Sequence, residues 1–346
     1  MRISILDSIF PVGHKQLNNK LVSLFPKINM DILVANNKNF FDEEVLSNAV
    51  FKDFNLIGHH KKYYLNIIFQ IFNYINIWLR TLDRKDDIKF FLTFENVSFA
   101  FARILFFNSK NVLFHHNNTD LLSIKYVLFF FKTYMNSVHH VVFADFIKNR
   151  LLEIGVRENR IFVLTHPLPN NKITFKEDEI KNLFVGLGYA SDHKLFNEII
   201  EFENKFGILK KNKIKLVLRS SYLDYEGENI TFFNEHLSEE GYTNLMCSAS
   251  GVLILYPVDY KYRYSGGILD ALRCNKMVIG AEIPIVLHFK KLYPDLCYSF
   301  NSIEDFFSVI VKAKSAKHNS FSFNEFWKKH DDLKVRQDLE NILLSV

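Results

Sequence analysis

The sequence predicts an α/β protein made of two Rossmann-like domains with parallel sheets. The chain of 346 residues is longer than a single ordinary core requires, and two domains of roughly 150 to 180 residues are the natural division. Short apolar runs alternate with segments of helical periodicity along almost the whole chain. Pro167 and Pro169 interrupt this pattern near the middle, as expected at a linker.

Each domain contains its own series of predicted strands. Every one of them is a short apolar run that suits a strand buried in a parallel sheet. The predicted strands are 3–6, 32–35, 89–93, 112–115, 141–143 and 162–165 in the first domain, and 183–186, 214–219, 230–233, 252–256, 277–280 and 296–300 in the second.

The domain boundaries follow from the two prolines and from the charged residues after them. The polar end of the chain contains Phe326 and Trp327, which are available to pack a terminal helix against another surface, including the first domain. The predicted segments are a first domain at 1–165, a linker at 166–181, a second domain at 182–320 and a C-terminal helix at 321–346.

Composition and charge limit the classes of function. The net charge of +5 is too small to indicate nucleic-acid binding, but it is compatible with phosphorylated ligands or an anionic membrane surface. Cys247, Cys274 and Cys297 lie in apolar segments without C-x-x-C spacing, which is typical of reduced core residues in a cytosolic protein. The opening MRISILDSIF lacks the features of a signal peptide and predicts a first strand. We therefore expect a cytoplasmic protein.

Two aromatic segments leave a peripheral membrane contact open as an alternative. The segment 63–79 predicts a helix with a wide apolar face and a narrow Asn/Gln stripe, and 126–135 reads YVLFFFKTYM. Four polar residues break the first segment, which falls short of the roughly 20 apolar residues that a span needs. An interfacial helix normally has a more basic polar face, so the sequence favours buried helices of the first domain.

The stretch SGG at 265–267 is a candidate anion site. Ser265 suits the N-cap of a helix, whereas Gly266 and Gly267 each weaken that helix by roughly 1 kcal/mol relative to alanine. A helix N-terminus binds phosphate well, and glycines let a diphosphate come close. Asp270 lies on the same face, where its carboxylate would accept hydrogen bonds from sugar hydroxyls. The other interpretation is an ordinary exposed helix start, and a short glycine motif does not decide between the two.

Two passages resemble one family. The first, YRYSGGILDALRCNKMVIG at 262–280, resembles the signature E-x-F/Y-G-x4-E-A followed by x-x-x-G-x-P-V-I of GT-B nucleotide-sugar glycosyltransferases, in particular the family 4 or group 1 enzymes of bacterial surface polysaccharide synthesis. The second, HHVVFADFIKNRLLEIGVRENRIFVLTHPLP at 139–169, resembles that family's passage from the last strand of the first domain to the linker. The residues in register are Tyr264, Ser265, Asp270 and Ala271 in the first passage and Asp145, Phe146, Lys148, Leu151, Gly155, Val156 and Val163 in the second.

The resemblance implies a GT-B fold, with parallel sheets that face a cleft, the nucleotide on the second domain and the acceptor mostly on the first. It implies transfer of a hexosyl unit from a nucleotide-diphosphate sugar, with a UDP-sugar favoured, to a hydroxyl of a bacterial surface glycan acceptor, lipid-linked and at the inner face of the cell membrane. It implies no cofactor and no metal. The sequence has no D-x-D motif, and a helix dipole with basic side chains would stabilise the leaving diphosphate.

Residues at the ends of predicted strands complete the expected site. The strand 112–115 delivers His115 and His116 to its carboxyl end, where ligands bind in open α/β sheets. Alternation along a strand sends the two side chains to opposite faces. The resemblance places His116 next to the transferred sugar, and we expect His115 to be packed and hydrogen-bonded. Gly13 in the first loop and Gly186 after the linker agree more weakly with the family.

Departures from the family pattern keep two other functions open. Tyr262 replaces the first glutamate of the signature, Asp270 shortens the second, and only Lys194 remains of the basic pair after the linker. The lost positive charge could come from Arg219, Lys261 or Arg263. The alternatives are a nucleotide-sugar 2-epimerase on the same fold and a non-catalytic binding subunit. The predicted site comprises catalytic His116 and Asp270, and nucleotide-sugar ligands Gly13, Gly186, Lys194, Arg219, Tyr262, Arg263, Ser265, Gly266 and Gly267.

Overall fold

The structure, a computed structural model, divides into two units. It describes residues 2–7, 15–25, 30–31, 57, 62–81, 87–116, 118–169, 180–188, 192–315 and 320–346. The first unit comprises Met1–Asn170, Tyr262–Tyr264 and His330–Val346, and the second comprises Asn171–Lys261 and Ser265–Lys329. The change from one unit to the next between residues 170 and 171 falls inside the segment 166–181.

A parallel sheet of six strands lies at the centre of the first unit, as far as the structure describes it. Its strands lie in the order β2-β1-β3-β4-β5-β6. All seven residues of β3 are buried, including the polar residues Asp87, Lys89 and Thr93, as expected for a central strand of a parallel sheet that is covered on both faces. The strands are β1 (Arg2–Asp7), β2 (Met30–Asp31), β3 (Asp87–Thr93), β4 (Lys110–Phe114), β5 (His139–Val142) and β6 (Ile161–Val163).

The helices of the first unit pack into two apolar clusters of buried residues. The last helix is part of one of these clusters through Val335, Leu339 and Ile342, which confirms that the C-terminal helix returns to the first domain. The helices are α1 (Lys15–Leu24), α2 (Tyr63–Thr81), α3 (Asn96–Ala102), α4 (Lys125–Lys132), α5 (Asp145–Ile154) and α13 (Asp332–Ser345).

Helix α2 packs against the core of the first unit, as the sequence favours, but it does so partly through its polar stripe. Within that stripe, Asn73 exchanges two hydrogen bonds of 2.9 and 3.1 Å with the backbone of Ile57. Tyr74 and Ile77, which lie beside this stripe, complete the contact with the core. The inward polar residues are Asn66, Gln70 and Asn73, and the exposed apolar residues are Tyr64, Ile68, Phe72 and Leu79.

The second unit has a seven-stranded sheet within its described residues, in the order β13-β12-β11-β7-β8-β10-β9. All pairs are parallel except β9 with β10. The strands are β7 (Leu183–Gly186), β8 (Lys215–Arg219), β9 (Tyr225–Glu226), β10 (Ile230–Phe233), β11 (Gly251–Ile254), β12 (Met277–Ala281) and β13 (Cys297–Phe300). The helices are α6 (His193–Phe206), α7 (Ile208–Asn212), α8 (Glu239–Ser248), α9 (Gly266–Arg273), α10 (Pro284–Leu292), α11 (Ile303–Lys314) and α12 (Ser320–Lys329).

The predicted strands agree with the observed strands to within two residues at each end, with two exceptions. The predicted strand 32–35 lies outside the described residues, and β9 was not predicted because two residues carry no periodicity. The end of the chain also differs from the expected single helix. It forms α12 and α13 because Asp331 caps a new helix by accepting a hydrogen bond of 2.7 Å from the N–H of Leu333.

Candidate functional site

The N-terminus of α9 is built by a serine cap and a buried tyrosine. Ser265 Oγ accepts a hydrogen bond of 3.3 Å from the N–H of Ile268, which confirms Ser265 as the N-cap. Tyr256, which follows β11, places its hydroxyl 3.1 Å from the same Oγ atom. Its ring stacks on Tyr260 with the centroids 4.4 Å apart. Tyr256 therefore holds the Ser265 side chain in its capping position, and Ser265 in turn orients the first turn of α9.

The two glycines at this terminus have different surroundings. A Cβ atom added at Gly266 would meet nothing within 4 Å, whereas one at Gly267 would lie 3.3 Å from the Tyr256 hydroxyl. Neither residue has a positive φ, so backbone strain does not explain them. Gly267 is explained by close packing on Tyr256, while Gly266 faces open space at the positive end of the helix dipole. Packing therefore does not account for the glycine at position 266.

Asp270 lies one turn into α9 and contacts two side chains. The Tyr242 hydroxyl of α8 donates to Asp270 Oδ2 over 3.4 Å, and Arg273 Nη2 lies 3.6 Å from Oδ1. Burial raises the pKa of Asp270, and the positive charge of Arg273 opposes that rise. The side chain keeps 29% of its surface exposed. The carboxylate is therefore oriented by its neighbours and still accessible to a hydroxyl donor.

Arg273 contributes a buried positive charge next to this carboxylate. The residue is 7% exposed, and within the part of the chain that the structure describes its Nε and Nη1 atoms have no hydrogen-bond partner. Its Nη2 atom is the one that lies near Asp270. Since a buried charge without full compensation is costly, Arg273 favours the ionised form of Asp270.

The other predicted ligands of the second unit are spread along the sheet edge. The Lys194 side chain, in the first turn of α6, is 86% exposed and lies 3.5 Å from Glu198. Arg219 is the last residue of β8 and is half-buried. A Cβ atom at Gly186 would lie 2.7 Å from Leu218 Cδ2, so strand packing alone explains this glycine. Gly13 lies outside the described residues.

Tyr262 and Arg263 belong to the first unit, where a single carboxylate binds both. Asp120 Oδ1 accepts a hydrogen bond of 2.6 Å from the N–H of Tyr262, and Oδ2 is ion-paired with Arg263 Nε. The Arg150 guanidinium lies 5.0 Å from the centroid of the Tyr262 ring. Asp120 is 9% exposed. These two predicted ligands are therefore held by an acidic residue that the sequence analysis had not identified.

His115 is buried, as predicted, in a chain of hydrogen bonds. His140 Nε2 lies 2.7 Å from the carbonyl of Met135, so it donates and leaves Nδ1 as an acceptor. His115 Nε2 lies 2.8 Å from that Nδ1, and Thr119 Oγ1 lies 3.4 Å from His115 Nδ1. This arrangement suits two neutral imidazoles. Burial is the main cause that lowers the pKa of His115 well below its usual value and that of His140 to about 4.

His116, the predicted catalytic histidine, is half-buried after β4. Its Nε2 donates to the carbonyl of Leu92 over 2.9 Å, and its ring lies 5.3 Å from that of Phe143. The bond to Leu92 orients the ring and places a hydrogen atom on Nε2.

The sequence analysis missed Asp120, Tyr242, Tyr256 and Arg273, whose roles come from contacts distant in sequence. Only Tyr256 could have been noticed in the sequence, because it ends the apolar run that precedes α9.

The described residues contain no group of three or more His, Cys, Asp and Glu side chains that could hold a metal ion. None of the described helices is long and apolar enough to cross a membrane.

Comparison with solved structures shows that the chain has the GT-B fold. Anabaena Alr3699/HepE in complex with UDP-glucose matches with a TM-score of 0.71 and 12% identity, over 100% of both chains. The lipopolysaccharide outer core galactosyltransferase WaaB matches with a TM-score of 0.62 and 13% identity, over 100% of this chain and 99% of that one. OtsA matches with a TM-score of 0.63 and 9% identity, over 99% and 98%. No protein family model and no curated protein sequence matches the chain.

Proposed function

We propose that this protein is a glycosyltransferase that moves a hexosyl unit from a nucleotide-diphosphate sugar, preferably a UDP-sugar, to a hydroxyl group of a lipid-linked bacterial surface glycan. The GT-B fold supports the proposal, since solved proteins of similar fold include one in complex with UDP-glucose and one galactosyltransferase. The observation in this chain that carries it is the open space at Gly266, at the N-terminus of α9.

In this proposal the diphosphate lies against the N–H groups at the start of α9. Gly266 permits the close approach, and Asp270, oriented by Tyr242 and Arg273, accepts hydrogen bonds from hydroxyl groups of the nucleotide sugar. Lys194 and Arg219 supply positive charge from the carboxyl edge of the sheet, where ligands of open α/β sheets bind. Tyr262 and Arg263, which Asp120 binds, precede α9 in the sequence and remain proposed ligands of the nucleotide sugar.

The transfer breaks the bond between the anomeric carbon and the β-phosphate oxygen. A new bond forms between that carbon and the acceptor oxygen, and the acceptor proton leaves with the diphosphate or to solvent. The dipole of α9 and the basic side chains neutralise the leaving diphosphate without a metal ion. His116, whose ring is oriented by the carbonyl of Leu92, contacts the transferred sugar.

An apolar surface on the first unit supports a peripheral membrane location on the cytoplasmic side. We call it the aromatic surface, and it lies on α2, α3 and α4 and on the turn after α3, helices that pack against one another. Segments 62–81 and 96–138 contain six basic residues and one acid, the buried Asp120. Exposed apolar groups with basic neighbours favour an anionic lipid surface. The aromatic surface comprises Tyr64, Ile68, Phe72, Leu79, Phe101, Ile104, Phe107, Tyr126 and Phe129.

Donor binding and turnover test the proposed function directly. A thermal-shift panel of nucleoside diphosphates should select UDP, and incubation with UDP-hexoses should release UDP slowly without acceptor and faster with a lipid-linked glycan. Activity should survive EDTA. A nucleotide sugar recovered with inverted configuration at C2 would instead indicate the epimerase. Tight UDP binding without any donor hydrolysis would indicate a binding subunit.

Vesicle sedimentation tests the aromatic surface. The protein should bind vesicles that contain phosphatidylglycerol and bind pure phosphatidylcholine weakly. Phe107→Ser with Phe129→Ser should reduce binding at least about tenfold, because Phe107 and Phe129 are 75% and 65% exposed. The control is Leu344→Ser, which changes an exposed residue, 87% exposed, outside the surface. Equal binding by the double variant and the control would contradict the membrane location.

A further inference from the structure

Two of the three cysteines meet at the ends of neighbouring helices. Cys247 is the ninth residue of α8, and Cys274 is the C-cap of α9. Their Sγ atoms lie 3.2 Å apart, although 26 residues separate them in the sequence. A disulfide needs an S–S distance near 2.05 Å, so rotation of two side chains could close the gap. The pair could not be predicted from the sequence, because the two cysteines are far apart and lack C-x-x-C spacing.

The surroundings give the two thiols different chemical roles. Cys247 is partly exposed, whereas Cys274 is buried. The hydrogen bond between Cys247 and Cys274, together with the positive charges of Lys276 and Arg273, outweighs burial and lowers the pKa of Cys247 to about 7. The pKa of Cys274 is raised, because it shares its proton with Cys247 and is desolvated. Cys247 therefore has the thiolate character and the access of an attacking thiol, and Cys274 is placed to resolve the oxidised product.

We propose that Cys247 and Cys274 form a redox-sensitive dithiol that closes to a disulfide when the protein meets a hydroperoxide. The geometry of the pair carries this inference, together with the partial exposure of Cys247 and the two basic side chains beside it. It goes beyond the glycosyl transfer proposed above and does not depend on it.

The reaction balances with hydrogen peroxide as the oxidant. The Cys247 thiolate attacks one peroxide oxygen, the O–O bond breaks, and the departing hydroxide takes a proton to become water. Cys247 is then a sulfenic acid. The Cys274 sulfur attacks the Cys247 sulfur, the S–S bond forms, and the S–O bond breaks. The hydroxide that leaves takes the Cys274 proton as a second water. One peroxide is reduced and two thiols are oxidised.

The disulfide would tie the end of α8 to the end of α9. These are the helices that carry Tyr242 and Asp270, whose side chains are hydrogen-bonded to each other. The bond also closes a loop of the unfolded chain, which stabilises the folded state. Oxidation should therefore raise the melting temperature of the second unit by several degrees, and it should restrain Asp270. The consequence for donor binding rests on the proposed function, whereas the disulfide itself does not.

Intact-mass analysis after brief treatment of the full chain with hydrogen peroxide tests the proposal. Wild type should lose about 2 Da, the mass of two hydrogen atoms in one disulfide, and recover it with dithiothreitol. Peptide mapping should find Cys247 linked to Cys274. Cys297→Ala is the matched control, since Cys297 is 1% exposed, and it should behave as wild type. Cys274→Ser should stop at a sulfenic acid on Cys247 that dimedone labels.

Three results would overturn the inference. They are the absence of the mass loss in wild type, its persistence in Cys247→Ser, and a disulfide that involves Cys297. The melting temperature and UDP affinity of reduced and oxidised protein are then compared. If the disulfide forms and UDP affinity does not change, the dithiol proposal stands and only its effect on Asp270 is rejected. If the protein never binds UDP, that result counts against the proposed function and not against the dithiol proposal.

Discussion

The carboxyl end of β4 in the first unit and the N-terminus of α9 in the second differ in how their polar groups are satisfied. At the end of β4, His115 donates to His140, which donates to the backbone of Met135, and His116 donates to Leu92. At the start of α9, a Cβ atom on Gly266 would meet nothing within 4 Å. The first region thus uses its donors within its own unit, whereas in the second no packing contact accounts for Gly266.

This difference suggests that the histidines after β4 serve the structure of the first unit, whereas the start of α9 is suited to binding a ligand. Hydrogen bonds between buried neutral imidazoles stabilise one arrangement of donors and acceptors, and a charge on either ring would disrupt it. A glycine with open space in front of it adds nothing to folding and weakens the helix. The comparison therefore predicts that changes in the histidine chain act on stability, whereas changes at Gly266 act on affinity.

Acidification should produce the largest effect, in the first unit. Burial lowers the pKa of His140 to about 4, below the roughly 6.5 expected for the unfolded chain. Between these values the unfolded state binds a proton that the folded state does not, so stability is present at pH 7 and falls as the pH drops towards 4. The loss from His140 alone is about 3 kcal/mol.

Urea titrations at pH 7 and pH 4.5 would measure this loss. Trp327→Phe leaves Trp78 of α2 as the single tryptophan, so fluorescence reports on the first unit. His236→Gln is the control variant, because it changes an exposed histidine that lies in the second unit. An unchanged midpoint for the first unit at pH 4.5 would contradict the prediction, because it would mean that His140 binds protons equally in the folded and unfolded states.

His116→Ala should produce the next largest effect, and it tests whether one histidine of this region also serves catalysis. If His116 contacts the transferred sugar, its loss should reduce kcat roughly 100-fold, or about 2.7 kcal/mol, while the affinity for UDP stays the same. His115→Ala is the contrasting variant, because it should lower stability first. Full activity of His116→Ala would make both histidines structural.

The features that the sequence predicted correctly are those that leave a local signal, and the features it missed depend on contacts between distant residues. Strands such as β7 and β10 were located because a buried strand needs a continuous apolar run, and the Ser265 cap because an N-cap is a local signal. The inward polar stripe of α2 was missed, because periodicity reveals two faces without showing which one meets the core. The binding of Tyr262 and Arg263 by Asp120 was missed since it joins positions 142 and 143 residues apart.

Gly266→Val tests the open side of the comparison. The added side chain meets no protein atom at its Cβ position and replaces a glycine in a helix, so the melting temperature should stay equal or rise. Affinity for UDP should fall at least about tenfold, or 1.4 kcal/mol. Gly267→Val is the matched variant, and it should lose stability as well, because its Cβ would press on the Tyr256 hydroxyl. Undiminished UDP binding by Gly266→Val would remove the main physical support for the site.

Tyr256→Phe should have the smallest effect, and it asks how far the cap can be weakened before binding changes. The variant removes the hydroxyl 3.1 Å from Ser265 Oγ but leaves Ser265 able to accept from Ile268. One hydrogen bond contributes about 1 kcal/mol net, so the second unit should lose about that much stability. UDP affinity should change less than about threefold, because the helix N–H groups remain in place.

Urea unfolding of Tyr256→Phe in a Trp78→Phe background, with Trp327 as the fluorescent reporter in the second unit, would measure the loss of stability. Tyr298→Phe is the control, since its hydroxyl donates over 3.3 Å at an exposed position and should contribute less. A loss of UDP affinity as large as that of Gly266→Val would mean that the Tyr256 hydroxyl contacts the ligand itself, and the division between a cap that orients the helix and a glycine that admits the phosphate would no longer hold.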